Sequence, residues 1–168
     1  MNVNRLRGDE VKIRNGFVSN SSSSSFIVCF PKRPETAEEV RQLMFGDLEY
    51  MSHPYEFGAV DTKQIAETVF ADLKPQRAAT FNKVIKILKR GWDGPPNLLD
   101  DYFYDRITHE EFKQKQDDWA QAQAEKFMDE CKGIIYIFRY GDDDGSYFAA
   151  LEHGEIFRNL KYYRVSQH

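Results

Sequence analysis

An α+β fold is what this chain of 168 residues predicts, on three observations. A short apolar run, Phe26-Ile27-Val28-Cys29-Phe30, comes first. Stretches with helical spacing follow, and near Gly133 the pattern changes to period two. Strands and helices segregated along a chain in this way build an α+β domain. The expected form is a small, mostly antiparallel sheet, an N-terminal strand plus a C-terminal β-meander. About four helices are expected to pack on one face of it.

The run Phe26 to Phe30 is β-branched and aromatic, and Pro31 and Pro34 end it, so it reads as a buried strand. Thr36 with Glu39 has the spacing of a capping box, and Val40, Leu43 and Met44 form the apolar stripe of the first helix. Gly46 to Gly58 has aromatics without a period and reads as a packed loop. Asp61 with Gln64 opens a second helix carrying Ile65, Val69 and Leu73, which Pro75 interrupts. A third helix over about 77–90 places Phe81, Val84, Ile85 and Leu88 together, with Gly91 as a left-handed stop. Leu98 to Ile107 is an aromatic connector.

The fourth helix is the clearest. Thr108 and Glu111 form a capping box, and Phe112, Trp119, Ala120, Ala124, Phe127 and Cys131 share one side. Lys132-Gly133 stops it. Beyond, Ile134, Tyr136, Phe138 and Tyr140 share one face and Ile135 and Ile137 the other, the pattern of a central strand. Gly141-Asp142-Asp143-Asp144-Gly145 reads as a hairpin turn, Ser146 to Glu152 as the return strand, and Tyr162 to Ser166 as the last strand. The first strand is expected beside these C-terminal ones.

The chain reads as a single domain, 1–168, with 1–15 a basic arm. Residues 1–33 hold six bases and two acids, a net +4, while the remainder holds 17 bases and 25 acids, a net −8. Such an arm suits an anionic partner or its own acidic body. Cys29 and Cys131 are the only cysteines and read as two reduced core thiols, with a disulfide between them left open. No apolar run approaches the ~18 residues of a membrane span. The expectation is a soluble cytoplasmic protein.

Six of the seven residues from Ser19 to Ser25 are serine, the segment furthest from average composition. Hydroxyls and loop amides of Asn20, Ser21, Ser22, Ser23, Ser24 and Ser25, with Arg14 upstream, offer a cradle for an anion. No P-loop spacing and no Gly-x-Ser-x-Gly elbow is present, and serine abundance without a positioned base is not activation. Asp142 and Asp144 are weak metal candidates, because they lack the spacing of a calcium loop and read first as solvated turn residues. Glu152 and His153, with Arg158 and His168 downstream, suit ligand binding or a metal, against the plainer reading of a capped strand end. Phe17 and Phe26 can stack on bases, but an acidic domain without an RNA-binding signature makes nucleic acid a lesser candidate.

The segment Arg14-Asn15-Gly16-Phe17-Val18-Ser19-Asn20-Ser21-Ser22-Ser23-Ser24-Ser25-Phe26 resembles uncharacterised proteins of tailed bacteriophages and prophage-bearing bacteria, which open with this motif. Leu151-Glu152-His153-Gly154-Glu155-Ile156-Phe157-Arg158-Asn159-Leu160, with Ser166-Gln167-His168 at the end, is similar to the same set. Gln167 departs from the double histidine expected there. The resemblance covers the two ends and not the middle. It implies a phage-encoded protein in a bacterial cytoplasm and implies no reaction.

The leading expectation is a non-enzymatic accessory protein, without a cofactor, that binds a host protein or complex. The alternatives are a binder of nucleotides or other phosphorylated ligands through the serine loop, and a metal-dependent hydrolase. In either case Ser21 to Ser25 should lie ordered against the domain, near the Glu152–Arg158 turn.

Overall fold

The computed structural model describes residues 23–91, 94–141 and 145–167. In chain order its elements are β1 (Ser23–Phe30), α1 (Ala37–Phe45), β2 (Tyr50–Ser52), β3 (Ala59–Asp61), α2 (Thr62–Leu73) and α3 (Phe81–Leu88). They continue with α4 (Leu98–Phe103), α5 (His109–Glu130), β4 (Ile134–Gly141), α6 (Ser146–His153) and β5 (Lys161–Gln167). The class is α+β. Among the described residues the main sheet has three strands in the order β4-β1-β5, and β2 and β3 form a separate two-stranded hairpin.

The sheet is antiparallel throughout, with β1 between its partners. The expected strand neighbourhood is therefore present, but the central strand is β1 and not β4. β4 and β5 both run against β1, so they are parallel to each other and are joined by α6 in a split β-α-β unit. Among the described residues no C-terminal meander forms. The segment Ser146 to Glu152, expected as a return strand, is helical and buries Ala149, Ala150, Leu151 and Glu152. Adjacent alanines favour helix, and the apolar residues run consecutively and do not alternate.

Helices cover both faces of the sheet, which corrects the one-sided packing expected. Phe26, Val28 and Phe30 join Tyr136, Phe138 and Tyr140 in a core with α1, α2 and α6. Ile27, Cys29, Ile135 and Val165 form the second core with α3 and α5. A strand apolar on both sides needs two covers, which is why β1 is buried along nearly all its length.

The outer edge of β4 is also covered. Ala79 donates its N–H to the Ile135 carbonyl at 2.7 Å, and Gln76 Oε1 accepts the Ile137 N–H at 3.2 Å. Gly133 is required at the base of β4 by close approach, since a Cβ there would lie 1.9 Å from the Phe30 carbonyl oxygen.

Cys29 and Cys131 are joined in a disulfide, which corrects the reading as two reduced thiols. Cys131 is the C-cap of α5 and packs against the second core, so the two side chains meet where the helix ends beside β1. Among the described residues no helix is long and apolar enough to cross a membrane.

Candidate functional site

The register of the sheet explains how serines enter a core. Ser24 lies opposite Tyr140 on one side and Ser166 on the other, and Phe26 lies opposite Arg164. Residues directly opposite in an antiparallel pair project to the same face. Ser24 and Arg164 therefore share the face that α6 covers, and α6 lowers Glu152 onto them. Ser23 to Ser25 are thus strand and not loop, and Ser24 and Ser25 are buried.

Four of the described side chains form a network there. Ser24 Oγ donates to Glu152 Oε1 at 2.9 Å and accepts from Arg164 Nε at 3.0 Å. Arg164 Nη2 lies 3.8 Å from the same carboxylate oxygen. It also donates to His153 Nδ1 at 3.0 Å, which places the imidazole proton on Nε2, 3.4 Å from Glu152 Oε2. The Glu152 side chain is wholly buried, so its charge is met by Arg164 and by hydrogen bonds, as a buried carboxylate requires. The Ser24 hydroxyl is spent on both sides and has no exposed surface, which is a poor arrangement for a nucleophile. The network fastens α6 to the sheet.

The opposite face of the same sheet end is polar too. Arg139 Nη2 donates to Ser23 Oγ at 3.2 Å, and Gln167 Nε2 to Ser25 Oγ at 3.4 Å. The expected meeting of the serine run with the Glu152 turn thus holds for Ser24. Arg158 is exposed and does not join the network; Arg164 takes the place expected of it. Arg14, Asn20, Ser21, Ser22, Asp142, Asp144 and His168 lie outside the described residues. Among the described residues no three His, Cys, Asp or Glu side chains are grouped to hold a metal ion.

No motif in the sequence singles out Arg164 or Arg139 as a site residue. A signal for Arg164 exists, because it alternates with Tyr162 on one face of the last strand, where a partly covered guanidinium is well met by an acid, and Glu152 is an acid of the matching C-terminal segment.

The second feature is the segment expected as a packed loop, which carries the hairpin of β2 and β3 and turns its aromatics outward. Tyr50, Tyr55 and Phe57 are exposed, Phe57 completely. The loop between the strands is nevertheless held firmly. His53 Nδ1 accepts the N–H groups of Tyr55 and Glu56 at 3.1 and 3.0 Å, and Nε2 donates to the Ser146 carbonyl at 2.7 Å. Ser146 Oγ donates to Glu56 Oε2 at 2.7 Å. The His53 N–H closes the loop on the Gly58 carbonyl, and Gly58 has a φ of 148°, a region that suits glycine. The Tyr55 ring packs edge-on against His153, with centroids 5.1 Å apart, so the loop touches the polar network.

No protein-family model matches the chain, and neither a curated protein nor a solved structure matches it.

Proposed function

We propose that this is a non-enzymatic protein-binding module whose recognition surface is the β2–β3 loop. The observation that carries the reading is a fully exposed Phe57, flanked by exposed Tyr55 and Tyr50, on a loop pinned by His53, Ser146 and Glu56. Exposed aromatics are anchors of protein interfaces, and a loop already fixed in place loses little entropy on binding. The Ser24–Glu152–Arg164–His153 network supports this surface from beneath, through the contact of Tyr55 with His153. The partner proposed is a host protein in a bacterial cytoplasm, following the phage-like ends of the chain.

Full-length tagged protein, wild type and Phe57→Ala, is expressed in the native host, and whatever remains bound is identified and then purified for titration. Phe57→Ala is expected to keep its melting temperature and to weaken the isolated partner about tenfold or more, the scale of an aromatic anchor. Unchanged affinity for every partner recovered would overturn the reading.

A second reading, binding of a phosphorylated ligand, is favoured by one observation. Arg139 is exposed beside Ser23, at the end of the sheet where the serine run enters it. Nucleotides should then raise the melting temperature of wild type and not of Arg139→Ala.

A further inference from the structure

The aromatic loop borders a cleft of about 500 Å³ between the hairpin and the start of α6. Tyr50, Phe57 and Tyr147 line it, with the carboxylates of Glu56 and Asp61, and no Lys or Arg takes part. Acidic residues predominate around it, with Arg41 near Asp47 and Glu49 and Lys63 beside Asp61. Residues 46–61 contain Asp47, Glu49, Glu56 and Asp61 and no Lys or Arg. Glu56 accepts the Ser146 hydroxyl and Asp61 the Lys63 backbone N–H, but neither forms an ion pair among the described residues.

The Tyr147 hydroxyl, which borders the cleft, also lies near carboxylates. Burial first, and then the carboxylates of Glu67, Asp72 and Asp61, hold this phenol above its usual range, against the opposing hydrogen bond with Thr68.

We infer that this cleft receives an arginine or lysine side chain from a basic peptide segment of the partner protein. Aromatic faces attract a cation through their quadrupole, and carboxylates pair with it through charge-assisted hydrogen bonds. The inference rests on the protein-binding reading above and adds the chemistry of the partner.

The test uses ¹⁵N-labelled full-length protein, with amide shifts followed by NMR. Two short synthetic peptides are titrated, one alternating arginine and glycine, the other with neutral citrulline at each arginine. The arginine peptide is expected to move the amides of residues 50–61 and 146–147, and citrulline to weaken that response about tenfold. The double variant Glu56→Gln, Asp61→Asn should weaken it by a similar factor while keeping the α2 cap, because asparagine caps as well as aspartate.

Equal response to both peptides, shifts spread along the acidic face of α5, or no response at about millimolar peptide would overturn the inference. Phe57→Ala separates the two readings. If it loses the host partner while the two peptides bind alike, docking by the aromatic loop stands and the cationic occupant falls.

Discussion

Ser24 shows how far composition can mislead about a single residue. A run of serines reads as loop, yet Ser24 is fully buried, because the neighbouring strands extend far enough to pair it with Tyr140 and Ser166. Its proximity to Glu152 follows from the expected place of the first strand beside the C-terminal ones, not from the serines themselves. Its role was not legible, because that depends on Arg164, which only the register places beside it. The hydroxyl donates to a buried carboxylate and accepts from a guanidinium, so Ser24→Ala removes two charge-assisted bonds at once. The expected cost is about 1–3 kcal/mol in urea unfolding, the usual penalty for depriving buried polar groups of a partner. Ser23→Ala, at a partly exposed position, should fall within roughly 0.5 kcal/mol of wild type. A cost for Ser24→Ala within roughly 0.5 kcal/mol as well would mean that the network contributes little to stability.

Among the elements, those with local signals at both ends were legible. The capping box of α5 is formed by Thr108 and Glu111 as its spacing predicts, and Ala120, Ala124 and Phe127 are its buried side. Thr36 likewise caps α1, although the Glu39 carboxylate reaches back to the Glu35 N–H and not to Thr36. Elements whose identity depends on packing were not legible. α6 has no side-chain cap, and the N-cap of α4, Asn97, has a positive φ of 63° and makes no side-chain cap. The first turn of α1 also carries a pH-sensitive device. Arg41 donates to the Glu38 carboxylate through Nε and Nη2, and Gln42 adds a third donor. These hydrogen bonds, that of Arg41 first, lower the Glu38 carboxyl from 4.5 to about 2. The folded value lies below the unfolded one, so the stabilisation is complete above about 4.5 and is lost as pH falls toward 2. The melting temperature of wild type should therefore exceed that of Glu38→Gln at neutral pH, and the gap should close across that window. A gap that stayed constant down to pH 2 would mean that Glu38 is not held by Arg41 in solution.

At the scale of the whole molecule the two-faced sheet follows from one fact that the sequence already displayed. Phe26 to Phe30 and Ile134 to Tyr140 are apolar on both sides, and one helical layer cannot cover both. The strand order was not legible, because nothing local distinguishes a central strand from an edge strand whose outer side is covered by Gln76 and Ala79. The disulfide joins these layers, since it ties the end of α5 in the second core to the central strand across a sequence separation of 102. In the chain-entropy account a bond closing a loop of about 100 residues stabilises by roughly 4–5 kcal/mol through the denatured state. Reduction should lower the urea midpoint correspondingly, and the slope of the transition should rise as the denatured chain becomes able to expand. Cys131→Ala should resemble the reduced protein and respond no further to reductant. Insensitivity of wild type to reductant would show that the thiols are not bonded in the isolated protein. Disulfides persist in oxidising compartments and are rare in reducing cytosol, so the bonded pair and a cytoplasmic partner make opposite demands on Cys29 and Cys131. Alkylation in acid-quenched cells measures this directly. Two modified cysteines would place the working protein in the reducing cytoplasm, with α5 held to β1 by packing alone, whereas protection of both would move its partner outside that compartment.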